Sequence, residues 1–153
     1  MPSSKRGALL NYTTSIEASK SGMEVVGLLA VHGASKIMLD SDGKGGFTGV
    51  SFAIRIRTEE HGFRLPLHID TVYNKLADQY QKGLLRSTKP SKEQAERVAW
   101  RILKDWVEAQ VAIIESGMAQ PAEVFLPYLL TPGNDRTLFE RMEERLALPQ
   151  WRR

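Results

Sequence analysis

The residues whose types and spacing suggest chemistry are basic and fall on alternate positions. In 47–57, Arg55 and Arg57 share a side with Ser51 and Ala53, while Val50, Phe52, Ile54 and Ile56 share the other. In 63–69, Arg64, Pro66 and His68 oppose Phe63, Leu65, Leu67 and Ile69. A period of two separates the faces of a strand, so both stretches predict a sheet buried on one side, with a basic open face. Lys36, on the strand before, lies near it. Arginines on a flat surface pair with phosphates and stack on bases. Tyr12, in the β-branched and aromatic stretch Leu9–Thr14, adds a stacking platform if its side is the open one; the register leaves that undecided. The linker cations Lys82, Arg86, Lys89 and Lys92 form a basic rim. The candidate nucleic-acid-binding set is therefore Arg55, Arg57, Arg64, His68, Lys36, Tyr12, Arg86 and Lys89. The competing reading is that these charges solvate an exposed sheet and protect an edge strand.

Other chemistries find less support. Asp40–Gly45 has the look of a calcium loop, but it lacks the distant Glu and the flanking helices, so a hairpin loop is expected. Gly43–Gly46 lacks the Lys-Ser/Thr pair of a phosphate-binding loop. The three histidines, His32, His61 and His68, have no zinc spacing. Asp105 and Glu108, with Arg97, Arg101 and Lys104, read as a salt-bridged helix face. No catalytic constellation is visible, so no enzyme activity, cofactor or metal is expected.

The elements that must position these residues are organised by Ser91–Gly117. Ser91 is an N-cap, Gln94 completes a capping box, and Glu93 suits the helix dipole. Ala95, Val98, Ala99, Ile102, Leu103, Trp106, Val107, Ala109, Ile113 and Ile114 recur at helical spacing, and Gly117 is placed to end the helix. This predicts one long helix near 92–116. Trp100 sits on its more polar side, against a neighbouring helix or a second subunit, with burial inside the monomer the safer expectation.

Around it the expected order is β-α-β-β-β-α-α-α: strand Leu9–Thr14, a helix from Ser21 to Gly33, strand Lys36–Asp40, a hairpin loop at Ser41–Gly46, two alternating strands separated by a turn at Thr58–Gly62, and a helix capped by Asp70 that ends near Gly83. After the long helix come a short helix opened by Pro121, a turn at Thr131–Asn134, and a last helix from about Asp135 to Leu146. The fold class is α+β, an antiparallel sheet of about four strands with helices on one face. Pro66 implies that the last strand is an edge, or that its missing N–H points outward. Residues 1–7 read as a flexible basic arm, 8–148 as a single domain and 149–153 as a tail, where Trp151 with Arg152 and Arg153 offers stacking and charge or packs back on the domain.

The 153 residues suffice for one core. With no Cys, disulfides and thiol chemistry are excluded. The longest apolar run, Val25–Val31, is too short to span a membrane, and nothing resembles a signal peptide, so a cytoplasmic protein is expected. The net charge of +3 is uneven: 12 Lys/Arg against 8 Asp/Glu in 1–90, and 9 against 10 in 91–153. A basic front half suits a polyanionic partner.

Asn11–Thr14, Ala95–Gln110 with its Trp-Arg-Ile-Leu-Lys-Asp-Trp run, and Val124–Tyr128 resemble a family of short uncharacterised proteins encoded by phages and prophages, over most of the chain from Asn11 to about Leu146. The resemblance brings no activity with it. It implies a small accessory role in a bacterial host. The functional expectation is an accessory nucleic-acid-binding protein, single-stranded DNA first and with little sequence specificity, in replication or recombination. The alternative is a module that binds or inhibits a host or replication protein through the polar side of the long helix around Trp100 or through the tail; a virion part fits less well. A homodimer is expected, through the long helix or the sheet edge.

Overall fold

The computed structural model describes residues 7–133 and 135–145. The chain runs α1 (Ala18–Val31), β1 (Ala34–Ser41), β2 (Phe47–Ile56), β3 (Glu59–Pro66), α2 (Ile69–Gln81), α3 (Lys92–Glu115), α4 (Pro121–Phe125), a 3-10 turn (Leu126–Tyr128) and α5 (Leu138–Glu144). It is an α+β fold around an antiparallel sheet in the order β1-β2-β3.

The alternation in the strands decides the core. Val50, Phe52 and Ile54 of β2 and Phe63 and Leu65 of β3, with Leu67 just beyond, turn inward and are buried. Phe52 stacks on Phe63 with ring centroids 5.5 Å apart, and Phe125 meets Phe52 edge-on at 5.2 Å. Trp106 extends this aromatic group, 6.1 Å from Phe125 and 5.7 Å from Tyr128. A smaller cluster, Leu76, Ala95 and Val98, joins α2 to α3.

The 24-residue α3 forms as its sequence requires. The Ser91 hydroxyl accepts from the Gln94 N–H. At the other end Gly117 takes φ 83°, and the N–H groups of Gly117 and Met118 reach back to Ile114 and Ile113. That is the paired arrangement which satisfies terminal carbonyls. The capping box is not completed, however. The Gln94 amide instead donates to the carbonyls of Tyr12 and Thr14.

Those two bonds belong to a larger correction: Leu9–Thr14 is a turn, not a strand. Asn11 sits in the left-handed region at φ 62°, Tyr12 N–H donates to Leu9 and Thr14 N–H to Asn11. β-rich composition does not make a strand when no sheet edge pairs with it. The described strands therefore number three, not about four, and the order begins with α1.

Other boundaries shift for local reasons. Ser21 lies inside α1, fully buried, and the helix starts a turn earlier. The β2–β3 turn is two residues, Arg57-Thr58, so β3 begins at Glu59. His68 rather than Asp70 precedes α2, and Asp70 accepts from Lys92 at 2.8 Å. The last helix starts at Leu138, where Thr137 and Glu140 form a reciprocal capping box. β3 is an edge strand whose free side is bridged once, Phe63 to Leu129, with Leu130 N–H donating to Gly62. Pro66 has the parity of Gly62, so its missing N–H falls on that free side.

Trp100 is inside the monomer, at 0% exposure, with its indole N–H donating to the Phe47 carbonyl at 3.2 Å. Gly22 of α1 lies against its ring; a Cβ there would be 3.9 Å away. Arg101, next in the chain, is 8% exposed and donates to both oxygens of Glu24, at 2.8 and 3.2 Å. The side of α3 that reads as polar is thus covered by α1.

Candidate nucleic-acid interface

The eight candidate residues do not form one surface. Lys36, Arg55 and Arg64 do share the outer face of the sheet: Ser51 pairs with Arg64, Arg55 with Glu60, and Lys36 with Ala53. Their charges are already engaged. The Lys36 ammonium lies 3.3 Å from Glu60, whose carboxyl is held below its ordinary range first by the Ser35 hydroxyl, which donates to it at 2.6 Å, and then by Lys36. Arg55 donates to the Thr58 carbonyl at 3.0 Å. Arg64 donates to the Asp135 carbonyl at 2.7 Å, and its Nε and the neighbouring Ser51 hydroxyl are buried. Leu130 lies over Gly62 on the same side; a Cβ at Gly62 would meet its side chain at 3.4 Å. The C-terminal turn therefore crosses part of the face that period two leaves open.

Arg57 is not on that face but in the β2–β3 turn, exposed, at φ 61°. His68 is further away. It lines the cleft between the β1–β2 loop and the starts of α2 and α3, together with Asp42, Lys44, Asp70, Lys92 and Glu96. That cleft contains opposed carboxylates. Asp42 accepts from the N–H groups of Lys44 and Gly46, which hold its carboxyl below the ordinary range. Glu96 is pushed upward by burial and then by Asp42. Both reach the bare Cα of Gly46, where a Cβ would sit 2.7 Å from Glu96 and 2.8 Å from Asp42. Among the described residues no three His, Asp or Glu side chains gather to hold a metal.

Tyr12, Arg86 and Lys89 come together elsewhere, at the start of α3. Because Leu9–Thr14 is a turn pinned to Gln94, Tyr12 cannot serve the sheet. It packs against the Leu76, Ala95 and Val98 cluster, and the Arg86 N–H donates to its hydroxyl at 3.5 Å. Tyr12, Ser87, Thr88, Lys89, Ser91 and Arg97 line a pocket of about 260 Å³. Arg97 also donates from Nε to Gln94. Among the described residues no carboxylate lies in ion-pair contact with Arg86, Lys89 or Arg97, whereas the rim cations Lys82 and Lys92 are paired with Asp78 and Asp70. The positive end of the α3 dipole faces the same region.

Arg97 and the hydroxyls of Ser87 and Thr88 are the members that strand-based reading misses. A signal was present: Arg86-Ser87-Thr88-Lys89 is a run of cations and hydroxyls without an acid, directly before a helix cap.

The tail residues Trp151, Arg152 and Arg153, and residues 1–6 of the N-terminal arm, lie outside the described residues. No helix among the described residues is long and apolar enough to cross a membrane. No family model, curated protein or solved structure matches the chain.

Proposed function

We propose that the chain is an accessory nucleic-acid-binding protein that grips a single strand, DNA first, at the pocket before α3. The observation that carries this reading is that Lys89 and Arg97, with no carboxylate in ion-pair contact among the described residues, line a pocket with hydroxyl-bearing residues at the start of a 24-residue helix, with Arg86 beside them in the chain. Phosphate oxygens accept from guanidinium, ammonium and hydroxyl groups, and the helix dipole favours the same charge. Tyr12 in the pocket wall offers a ring for a base. Arg57 and the outer face of the sheet, separate from this pocket, are a secondary surface. Backbone contacts and stacking read little sequence, so affinity should depend on salt more than on base order. The role this reading assigns to the chain is a small accessory one in phage replication or recombination.

The alternative of a protein-docking surface around Trp100 loses its anchor, because Trp100 is buried under α1. The test is fluorescence anisotropy with labelled single- and double-stranded DNA and RNA across a salt series. Saturable binding to single strands, steep in salt and weakened by Lys89→Ala with Arg97→Ala, is expected. No binding at low salt, or binding indifferent to that double substitution, would remove the reading.

A further inference from the structure

The solvent side of α1 is unlike that of an ordinary surface helix. Between Ser21 and Val31 the only ionisable residue is Glu24, and it turns inward to Arg101. Met23 is 60% exposed and Val31 77%. Gly27, midway between them, is exposed, and a Cβ built there meets nothing within 4 Å. A surface helix normally carries charge on the side away from the core; one that is apolar all round is a helix that is covered.

We propose that α1 is the contact helix of a two-fold homodimer, crossing a second copy of itself antiparallel at Gly27. The surface is self-complementary about that point. Met23 and Val31 lie eight residues apart on one stripe, about 12 Å along the axis at 1.5 Å per residue. Alongside the stripe, from Glu24 past Gly27 and Leu28 to Val31 and His32, a groove of about 430 Å³ opens between α1 and Lys104 and Glu108 of α3. Met23 projects into solvent at its own end of the stripe, and the groove is the recess it would enter. A two-fold axis through Gly27 places each Met23 in the other copy's groove, and the flexible thioether adapts to its shape. The absence of a side chain at Gly27 lets the two axes approach.

Charge agrees with this arrangement. Lys20, one turn before Met23, is exposed and makes no ion pair among the described residues. The opposite end of α1 has no basic residue in its last turn, and there Glu115 of α3, 60% exposed, lies 3.6 Å from His32. The same axis brings Lys20 of one copy to the negative helix end and the Glu115 side of the other.

The chain has no Cys, so single thiols can be introduced cleanly. A short bis-maleimide should join Ala30→Cys chains, whose thiol would stand beside the crossing without filling it, into covalent dimers at least tenfold faster than Asn74→Cys chains, whose thiol would stand on α2. Light scattering should give wild type twice the monomer mass, and Val31→Glu should halve that mass without changing the circular dichroism. A wild type that remains monomeric at hundreds of micromolar, equal cross-linking at the two positions, or a Val31→Glu variant that remains dimeric would each overturn the proposal.

Discussion

The outer face of the sheet and the pocket before α3 carry cations of the same kinds in opposite circumstances. On the sheet, Lys36 faces Glu60, Arg55 closes its own turn, and Arg64 holds the carbonyl of Asp135, so these charges help to fix the fold. At the pocket, Lys89 and Arg97 stand around hydroxyls and a helix start, with no carboxylate in ion-pair contact among the described residues. Arg101 is the extreme of the first kind, a guanidinium at 8% exposure bound to Glu24. A cation already bonded within the fold must give up that bond to take a phosphate, as Arg97 would give up its Nε bond to Gln94; Lys89, without such a bond among the described residues, gives up only water. Charge count therefore ranks surfaces poorly, and the partners of each charge rank them better.

The contrast can be broken at either end. The largest effect is expected from Arg101→Ala, which strands Glu24 between α1 and α3. Loss of one partner of a buried pair costs about 3–5 kcal/mol, and the partial exposure of Glu24 points to the lower end. Urea unfolding would register it, while nucleic-acid affinity of the folded protein should be unchanged. Next, Lys89→Ala with Arg97→Ala should leave urea unfolding almost unmoved but lower the salt slope of single-strand binding by about 1.4, two phosphates at about 0.7 each. If the slope falls instead with Arg55→Ala, the two regions have been ranked in the wrong order.

Arg64→Ala should cost about 1.5 kcal/mol of stability through the lost charge-assisted bond to Asp135, with no change in binding. Glu96→Gln probes the cleft that belongs to neither region. Its carboxyl is raised in the folded protein by burial and by Asp42, so the folded state holds the proton more tightly than the unfolded chain. Stability from this source is complete below the ordinary carboxylate value and is lost as pH rises through the folded one. The variant should therefore melt higher than wild type at pH 7, and the gain should vanish near pH 3, as melting across a pH series would reveal. The smallest effect belongs to Arg57→Gly. It relieves a left-handed residue in the β2–β3 turn, offset by the entropy of glycine, for a net gain of about 0.5 kcal/mol, and binding should stay within twofold.

How much of this was legible depended on how local each signal was. Period two identified the inward set Val50, Phe52, Ile54, Phe63, Leu65 and Leu67, because side-chain direction along a strand is a property of the backbone itself, but it ran on to Arg57, which lies in the turn, and to Ile69, which opens α2. Ser91 and Gly117 marked the ends of α3 for the same reason: a cap satisfies groups within its own turn. Leu9–Thr14 misled because strand-forming composition acts only through a neighbouring strand, and this segment meets α3 instead. The candidate site was legible as a list of basic residues and not as a place. Nothing local to Tyr12 or Lys89 says that a turn and a linker far apart in the chain converge.

The sequence by itself determined the α+β class, the inward face of the two long strands, the span of α3 and the exclusion of thiol chemistry, all matters of periodicity, capping or composition. Only the tertiary structure decided that Trp100 and Arg101 lie under α1, that Arg64 holds the C-terminal turn, and that Lys89 and Arg97 share a pocket with Tyr12, free of ion pairs among the described residues. Those outcomes depend on which distant segment arrives opposite each side chain. A charged or aromatic residue has several good partners in principle, and packing selects one of them.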